Sequence, residues 1–80
     1  MNITVQFFAS YADRLGRSSI EFDLPDGATV LDLTRSIAAL PGASGLPLNP
    51  LIAVNHEYAG TAVVLATGDE VAVIPPVAGG

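Results

Sequence analysis

Residues 71–80 read Val-Ala-Val-Ile-Pro-Pro-Val-Ala-Gly-Gly, and this stretch decides how the whole chain is organised. Its first four residues are all apolar, which predicts a strand buried on both faces and lying beside a parallel neighbour in mid-sheet. Proline has no N–H to give to a strand ladder, so the strand must end at Ile74. The sequence therefore predicts a folded domain at 1–74 and an extended tail at 75–80.

The tail has the composition of an arm that reaches away from the domain. It consists of Pro75, Pro76, Val77, Ala78, Gly79 and Gly80. An extended path of six residues reaches about 20 Å, and two glycines without Cβ atoms fit a slot too narrow for other residues. One interpretation is that the tail delivers the Gly80 carboxylate to a partner's active site. The alternative is an ordinary frayed terminus.

Working back along the chain, alternation of apolar and polar residues predicts further strands at 2–9, 18–24 and 51–55. Residues 61–66 are predicted to form a short strand or an extended segment. The first strand points Ile3, Val5 and Phe7 inward. Phe8 is the exception on the polar face, either as a partly covered surface aromatic or as an anchor for a partner. If the last strand pairs with the first, Phe8, Ala72 and Ile74 form one exposed apolar stripe, which is the candidate docking surface.

Two helices are predicted from their first turns. Thr29 and Asp32 have the spacing of an N-cap and its third helical residue, and apolar residues recur after them at helical spacing to Leu40. This main helix spans about eleven residues. A shorter helix is predicted with Ser10 as its N-cap and Asp13 three residues on. One helix crossing over a mixed sheet is typical of an α+β fold of the β-grasp, or ubiquitin-like, class.

The composition narrows the classes of molecule that this chain is expected to bind. The chain has 80 residues, a net charge of −5 and only three cations, Arg14, Arg17 and Arg35. Such a chain lacks the clustered cations that nucleic acids or anionic membranes require, and it favours a basic protein partner. Half of its residues are apolar, which predicts an exposed apolar patch.

Other classes of site are not supported. There is no cysteine, no apolar run long enough to span a membrane and no basic leader, so we expect a cytoplasmic protein. The single histidine, His56, has one adjacent glutamate, which cannot complete a metal site, and we interpret it as a solvated turn residue. The loop at 41–50 lacks the lysine of a phosphate-binding loop.

Five segments, in this order along the chain, resemble a known family. They are Phe7-Phe8-Ala9 before a short helix, Leu24-Pro25-Asp26-Gly27-Ala28-Thr29-Val30, Ala53-Val54-Asn55-His56-Glu57-Tyr58, Gly68-Asp69-Glu70-Val71-Ala72 and the tail. Together they resemble the MoaD-like sulfur carriers of the ThiS/MoaD superfamily, the small subunit of molybdopterin synthase. The match runs over nearly the whole chain.

The resemblance implies a mechanism in which this chain carries sulfur and binds no cofactor itself. A MoeB/ThiF-like enzyme would use ATP to adenylate the Gly80 carboxylate. A sulfurtransferase relay would then replace AMP with sulfur, giving a thiocarboxylate. The tail would insert into a MoaE-like large subunit, where the sulfur attacks a pterin precursor in molybdenum cofactor biosynthesis. Gly79 would be the slim neighbour of the reactive residue, and Phe8 and Ile74 fall at apolar docking positions.

Several alternatives stay open. Carriers for thiamine biosynthesis share the fold and the terminal Gly-Gly but usually lack the Pro-Pro spacer, and carriers for cysteine biosynthesis are harder to distinguish. A ubiquitin-like modifier would use the same activation to join Gly80 to target lysines. A plain binding module would leave the Gly-Gly without a role.

Overall fold

The computed structural model describes residues 1–43 and 50–74. The elements in chain order are β1 (Asn2–Phe7), α1 (Ala9–Leu15), β2 (Ser19–Asp23), α2 (Val30–Ala38), β3 (Leu51–Val54), β4 (Glu57–Tyr58) and β5 (Glu70–Ile74). The five strands form one sheet in the order β2-β1-β5-β3-β4. β1 and β5 are parallel, and the other neighbours are antiparallel. The mixed β-grasp sheet predicted from the sequence is confirmed.

The last strand occupies the position that its apolar run predicts. β5 lies between β1 and β3, with Val5 opposite Val71 and Phe7 opposite Val73. Val71 and Val73 are buried, whereas Ala72 and Ile74 are partly exposed on the other face. The alternation predicted for β1 and β5 is therefore confirmed, and their shared inner face supplies much of the core.

The core is closed by the helices. Val30, Leu33 and Ile37 of α2 are buried in the same cluster as the inner residues of β1 and β5. Tyr11 of α1 joins that cluster, and burial raises the pKa of its phenol. Because these helices cover the inner face, the opposite face of the sheet is left for contacts with other molecules. No helix in residues 1–43 and 50–74 is long and apolar enough to cross a membrane.

The predicted start of α2 is confirmed in detail. Asp32 N–H donates to Thr29 Oγ1 at 3.4 Å, and Thr29 N–H donates to Asp32 Oδ2 at 2.9 Å, a reciprocal capping box. The helix ends sooner than expected. It spans nine residues rather than about eleven, with Ala39 as its C-cap, and Leu40 continues only as a partly buried residue after the helix.

The predicted start of α1 was wrong. The helix begins at Ala9 with Phe8 as the N-cap residue, and no side chain caps it. Ser10 is already inside the helix, because the chain turns directly from β1 and brings Tyr11 into the core, with Tyr11 N–H donating to Phe8 O at 3.1 Å. Gly16 closes the helix with a left-handed φ of 72°, as glycine most readily does.

At 61–66 the sequence predicted a short strand or an extended segment, and the strand was wrong. That segment makes only an isolated bridge between Thr29 and Val64. Its carbonyls are used elsewhere: Val30 N–H donates to Val63 O at 2.9 Å and Leu31 N–H donates to Thr61 O at 3.1 Å. The segment therefore accepts hydrogen bonds from backbone N–H groups in the first turn of α2, which have no partner within the helix. The short strand of the sheet is β4 at Glu57–Tyr58.

Candidate functional site

The face of the sheet opposite the helices is the candidate functional site, and we call it the outer face. Cross-strand partners point to the same side of a sheet, so the register defines its rows. A middle row runs from Ser19 through Gln6, Ala72 and Ala53 to Tyr58. The row beyond it, at the end of β5 that leads to residue 75, joins Ile74 to Leu51, with Phe8 next to them after β1.

A groove of about 360 Å³ lies along this face. It is lined by Gln6, Phe8, Ala53, His56, Tyr58, Glu70, Val71, Ala72 and Ile74. The small side chains of Ala53 and Ala72 lie between the larger ones of Phe8 and Tyr58, which gives the face its concave shape. Phe8 is 46% exposed and Tyr58 74% exposed, so two aromatic rings are available to another molecule.

The structure brings together the three residues predicted to form an apolar stripe. Phe8, Ala72 and Ile74 all line the groove, and Phe8 N–H donates to Val73 O at 3.3 Å, which fixes the end of β1 beside the end of β5. Their placement on one exposed face follows from the parallel β1–β5 pair. Their role in docking stays a prediction.

Sequence reasoning missed part of this surface. Gln6, Leu51, Ala53 and Tyr58 were not predicted to be part of it. The pairing of β3 with β5 brings Ala53 to the groove and Leu51 beside Ile74, and the short β4 brings Tyr58 beside Ala53. The period of two in 51–54 gives the two faces of β3, but the sequence alone did not show which strand it would pair with.

One wall of the groove is held by a polar clamp between two turns. Asn55 donates from Nδ2 to Asp69 Oδ1 at 2.9 Å and accepts at Oδ1 from Glu70 N–H at 3.0 Å. Asp69 Oδ2 accepts from Ala66 N–H at 2.7 Å. Asn55 has a φ of 50°, a left-handed conformation that asparagine tolerates better than most residues. The clamp ties the β3–β4 turn to the start of β5.

His56 follows this clamp in the same turn, with a φ of 72°, and its side chain is exposed. Its position in a solvent-facing turn agrees with the interpretation from the sequence. In the described part of the chain, no three His, Cys, Asp or Glu side chains lie together as metal ligands would.

The residues that the sequence analysis assigned to sulfur chemistry and tail insertion all follow the last strand. Pro75, Pro76, Val77, Ala78, Gly79 and Gly80 lie outside the described residues, as does the centre of the loop at 44–49. The described chain ends at Ile74, which lines the groove. One of the residues that line the groove is therefore also the point from which the chain continues toward Gly80.

Comparison with known proteins identifies the family. The model of the ThiS family matches residues 5–80. The chain belongs to the ThiS family. Among curated relatives of this ThiS-family chain, the molybdopterin synthase sulfur carrier subunit of Chlamydomonas reinhardtii is 39% identical and covers 100% of both chains. The human protein of the same name is 34% identical over 98% of this chain and 93% of its own length. The resemblance to MoaD-like carriers is thereby confirmed.

A second group of relatives has a different name. Small archaeal modifier protein 3 of Haloferax volcanii is 34% identical and covers 100% of both chains. Among solved structures, SAMP1 from Haloferax volcanii aligns with a TM-score of 0.85 at 28% identity, covering 100% of both chains. A candidate molybdopterin converting factor subunit 1 from Pyrococcus furiosus aligns with a TM-score of 0.83 at 31% identity, over 96% of this chain and 99% of its own. Both groups share the β-grasp fold described above.

Proposed function

We propose that this ThiS-family chain is the sulfur carrier subunit of a molybdopterin synthase. The observation that carries the proposal is the end-to-end match, at 39% identity, to a relative of that name. The match of the family model extends to residue 80 and so includes the Gly-Gly on which the chemistry depends.

On this proposal the reactive group is built onto the chain. A carboxylate is a poor electrophile, so a MoeB/ThiF-like enzyme first transfers AMP from ATP to the Gly80 carboxylate, and pyrophosphate leaves. The persulfide sulfur of a sulfurtransferase then displaces AMP and forms an acyl disulfide with the Gly80 carbonyl. A second thiol cleaves that S–S bond, which releases the thiocarboxylate and leaves the two thiols joined as a disulfide. Because ATP is required, the cytoplasm is the expected location.

The partner that receives the sulfur is proposed to be a MoaE-like large subunit. The relatives' names, sulfur carrier subunit and subunit 1 of a converting factor, each imply a second subunit. The outer face offers that subunit an apolar groove next to Ile74, and a chain of six further residues reaches about 20 Å beyond it. The body would dock while the tail delivers Gly80 to a pterin precursor, with acid–base and cationic groups supplied by the large subunit.

Deleting Gly80 tests this division of labour. In a reconstituted reaction with activating enzyme, sulfur donor, large subunit and precursor, the deletion should abolish dithiolene formation. Its melting temperature should stay within a few degrees of the full-length chain, because the core is built from residues between Ile3 and Val73. Substitution of an exposed α1 residue, Asp13→Asn, provides a control that should retain full product formation. Unchanged product formation by the deletion variant would refute the proposal.

A second candidate, a protein modifier, is favoured by one observation, the full-length match to small archaeal modifier protein 3. In that case the activated Gly80 carbonyl would form isopeptide bonds with target lysines. A tagged chain expressed in cells and run on a denaturing gel separates the two. A ladder of conjugates that disappears on deletion of Gly80 would favour the modifier, whereas free chain and one tight partner would favour the carrier.

A further inference from the structure

The outer face changes from apolar to acidic along the strands. A third row of the outer face lies two residues before Gln6 in β1 and two before Ala72 in β5. In this row Thr4 of β1 pairs with Glu21 of β2 on one side and with Glu70 of β5 on the other. All three therefore point outward, and both glutamates are exposed. We call Glu21 and Glu70 the acidic row, and Phe8, Ile74 and Leu51 the apolar row.

The two rows are well separated. Ile74 follows Glu70 by four residue positions along β5, which at about 3.3 Å per residue is about 13 Å. Between them lies the neutral middle row that contains Gln6, Ala72 and Ala53. A partner that covers the apolar row and accepts the chain beyond Ile74 would therefore meet the acidic row at the opposite end of the same face.

No strand of the sheet contains a lysine or arginine that could pair with the acidic row. The chain has no lysine, and its three arginines lie outside the strands: Arg14 in α1, Arg17 after it and Arg35 in α2. The nearby Asp23 has a cation of its own, because the Met1 ammonium contacts Asp23 Oδ1 at 3.3 Å. Within the described ion pairs, Glu21 and Glu70 have no such partner. His56 and Tyr58 are the other titratable side chains that line the groove with Glu70.

We infer that the partner of this face has a basic zone of arginine or lysine side chains, about 13 Å back from the point where the tail enters it. This inference rests on the proposed function, since it concerns the subunit that receives the tail. The apolar row supplies contact area that holds the complex together, and the acidic row steers and orients its formation. Together the two rows fix the direction in which the carrier lies on its partner, so that Ile74 faces the slot.

Charge reversal tests the inference with a matched control. Glu21→Arg and Glu70→Arg each change the net charge by the same amount as Asp13→Arg, which alters α1, the helix whose Tyr11 packs into the core. Arginine avoids adding an amine that could capture the activated carboxylate. The probe is the purified MoaE-like large subunit, with association and dissociation rate constants measured at low and at physiological ionic strength. Circular dichroism checks that each variant is folded.

At low ionic strength, E21R and E70R should each lower the association rate constant by about tenfold, with little change in dissociation. The difference from wild type should shrink at physiological salt, where the screening length is about 8 Å. D13R should associate within about twofold of wild type, because Asp13 is exposed on α1 and does not line the groove. The inference is overturned if the three variants associate equally fast, or if wild type does not bind the large subunit.

A parallel measurement of thiocarboxylate formation tests the proposed function separately from the basic zone. Wild type incubated with the activating enzyme, ATP and a sulfur donor should form the Gly80 thiocarboxylate whether or not the acidic row steers docking. Thiocarboxylate formation with equal association rates would reject the basic zone and leave the carrier function standing. Absence of thiocarboxylate in wild type would reject the carrier function itself.

Discussion

At the scale of single residues, Thr29 and Asp32 set the position of the main helix. Each side chain accepts a hydrogen bond from the backbone N–H of the other, and Thr29 Oγ1 also donates to Asp32 Oδ2 at 3.2 Å. The bond from the Thr29 N–H, above all, holds the pKa of the Asp32 carboxyl below its ordinary value, and Arg35 adds a smaller effect in the same direction. The cap therefore works best when Asp32 is ionised.

Thr29→Ala should lower the free energy of unfolding by about 1 kcal/mol, because it removes the acceptor for the Asp32 N–H. Urea denaturation at neutral pH measures the change. Thr34→Ala is the matched control: it removes the same atoms from within α2, where the hydroxyl only donates to Leu31 O, and should stay within about 0.5 kcal/mol of wild type. Equal effects of the two substitutions would contradict a capping role for Thr29.

The lowered pKa of Asp32 predicts a pH dependence with a definite sign. A carboxyl whose pKa is lower in the folded than in the unfolded state stabilises the fold above the unfolded value, and this contribution disappears as the pH falls through the folded value. The stability advantage of wild type over Asp32→Asn should thus be full at neutral pH and shrink below the ordinary value of 3.8. Urea midpoints across the acid range measure it, and a constant difference would show that ionisation of Asp32 plays no part.

At the scale of elements, the last residue of β1 and the residue after it lie on opposite faces of the sheet. Phe7 is 2% exposed in the core and Phe8 is 46% exposed beside the groove. Phenylalanine therefore packs in the core at position 7 and, on our proposal, contacts a partner at position 8. This pair allows stability and binding to be separated by one chemical change.

Phe7→Ala should destabilise the domain by about 3–5 kcal/mol, which would bring a chain of this size close to unfolding. Phe8→Ala should cost less than about 1 kcal/mol, because much of the ring is already in water. Phe8→Ala should instead raise the dissociation rate constant of the complex with the large subunit. Thermal melts and binding kinetics on the two variants measure both effects. Strong destabilisation by F8A, or unchanged binding, would contradict the assignment of Phe8 to the docking face.

The elements differ in how well the sequence predicted them, for physical reasons. β1, β5 and α2 were predicted because local features determined them: strict alternation, an apolar run stopped by proline, and a cap at the right spacing. The start of α1 and the role of 61–66 were not, because each depends on a distant contact, Tyr11 with the core and the 61 and 63 carbonyls with α2. The groove was only partly predicted for the same reason, since Ala53 and Tyr58 reach it only through strand pairing.

At the scale of the whole molecule, the proposed function separates the folded domain from the carboxylate that would react. The core lies between the helices and the inner face, the groove lies on the outer face, and Gly80 is six residues beyond the last strand. A carrier requires this separation, because one body must present the same terminus first to an activating enzyme and then to a synthase. The central claim is that the Gly80 carboxylate is converted to a thiocarboxylate.

Intact mass spectrometry tests that claim most directly. The chain is incubated with ATP, a MoeB/ThiF-like activating enzyme and a sulfur donor, and fragmentation locates any change in mass. The account predicts replacement of one oxygen by one sulfur, confined to Gly80, dependent on ATP and absent after deletion of Gly80. An unchanged mass under conditions in which the enzyme activates a known carrier, or sulfur found at any other residue, would contradict it.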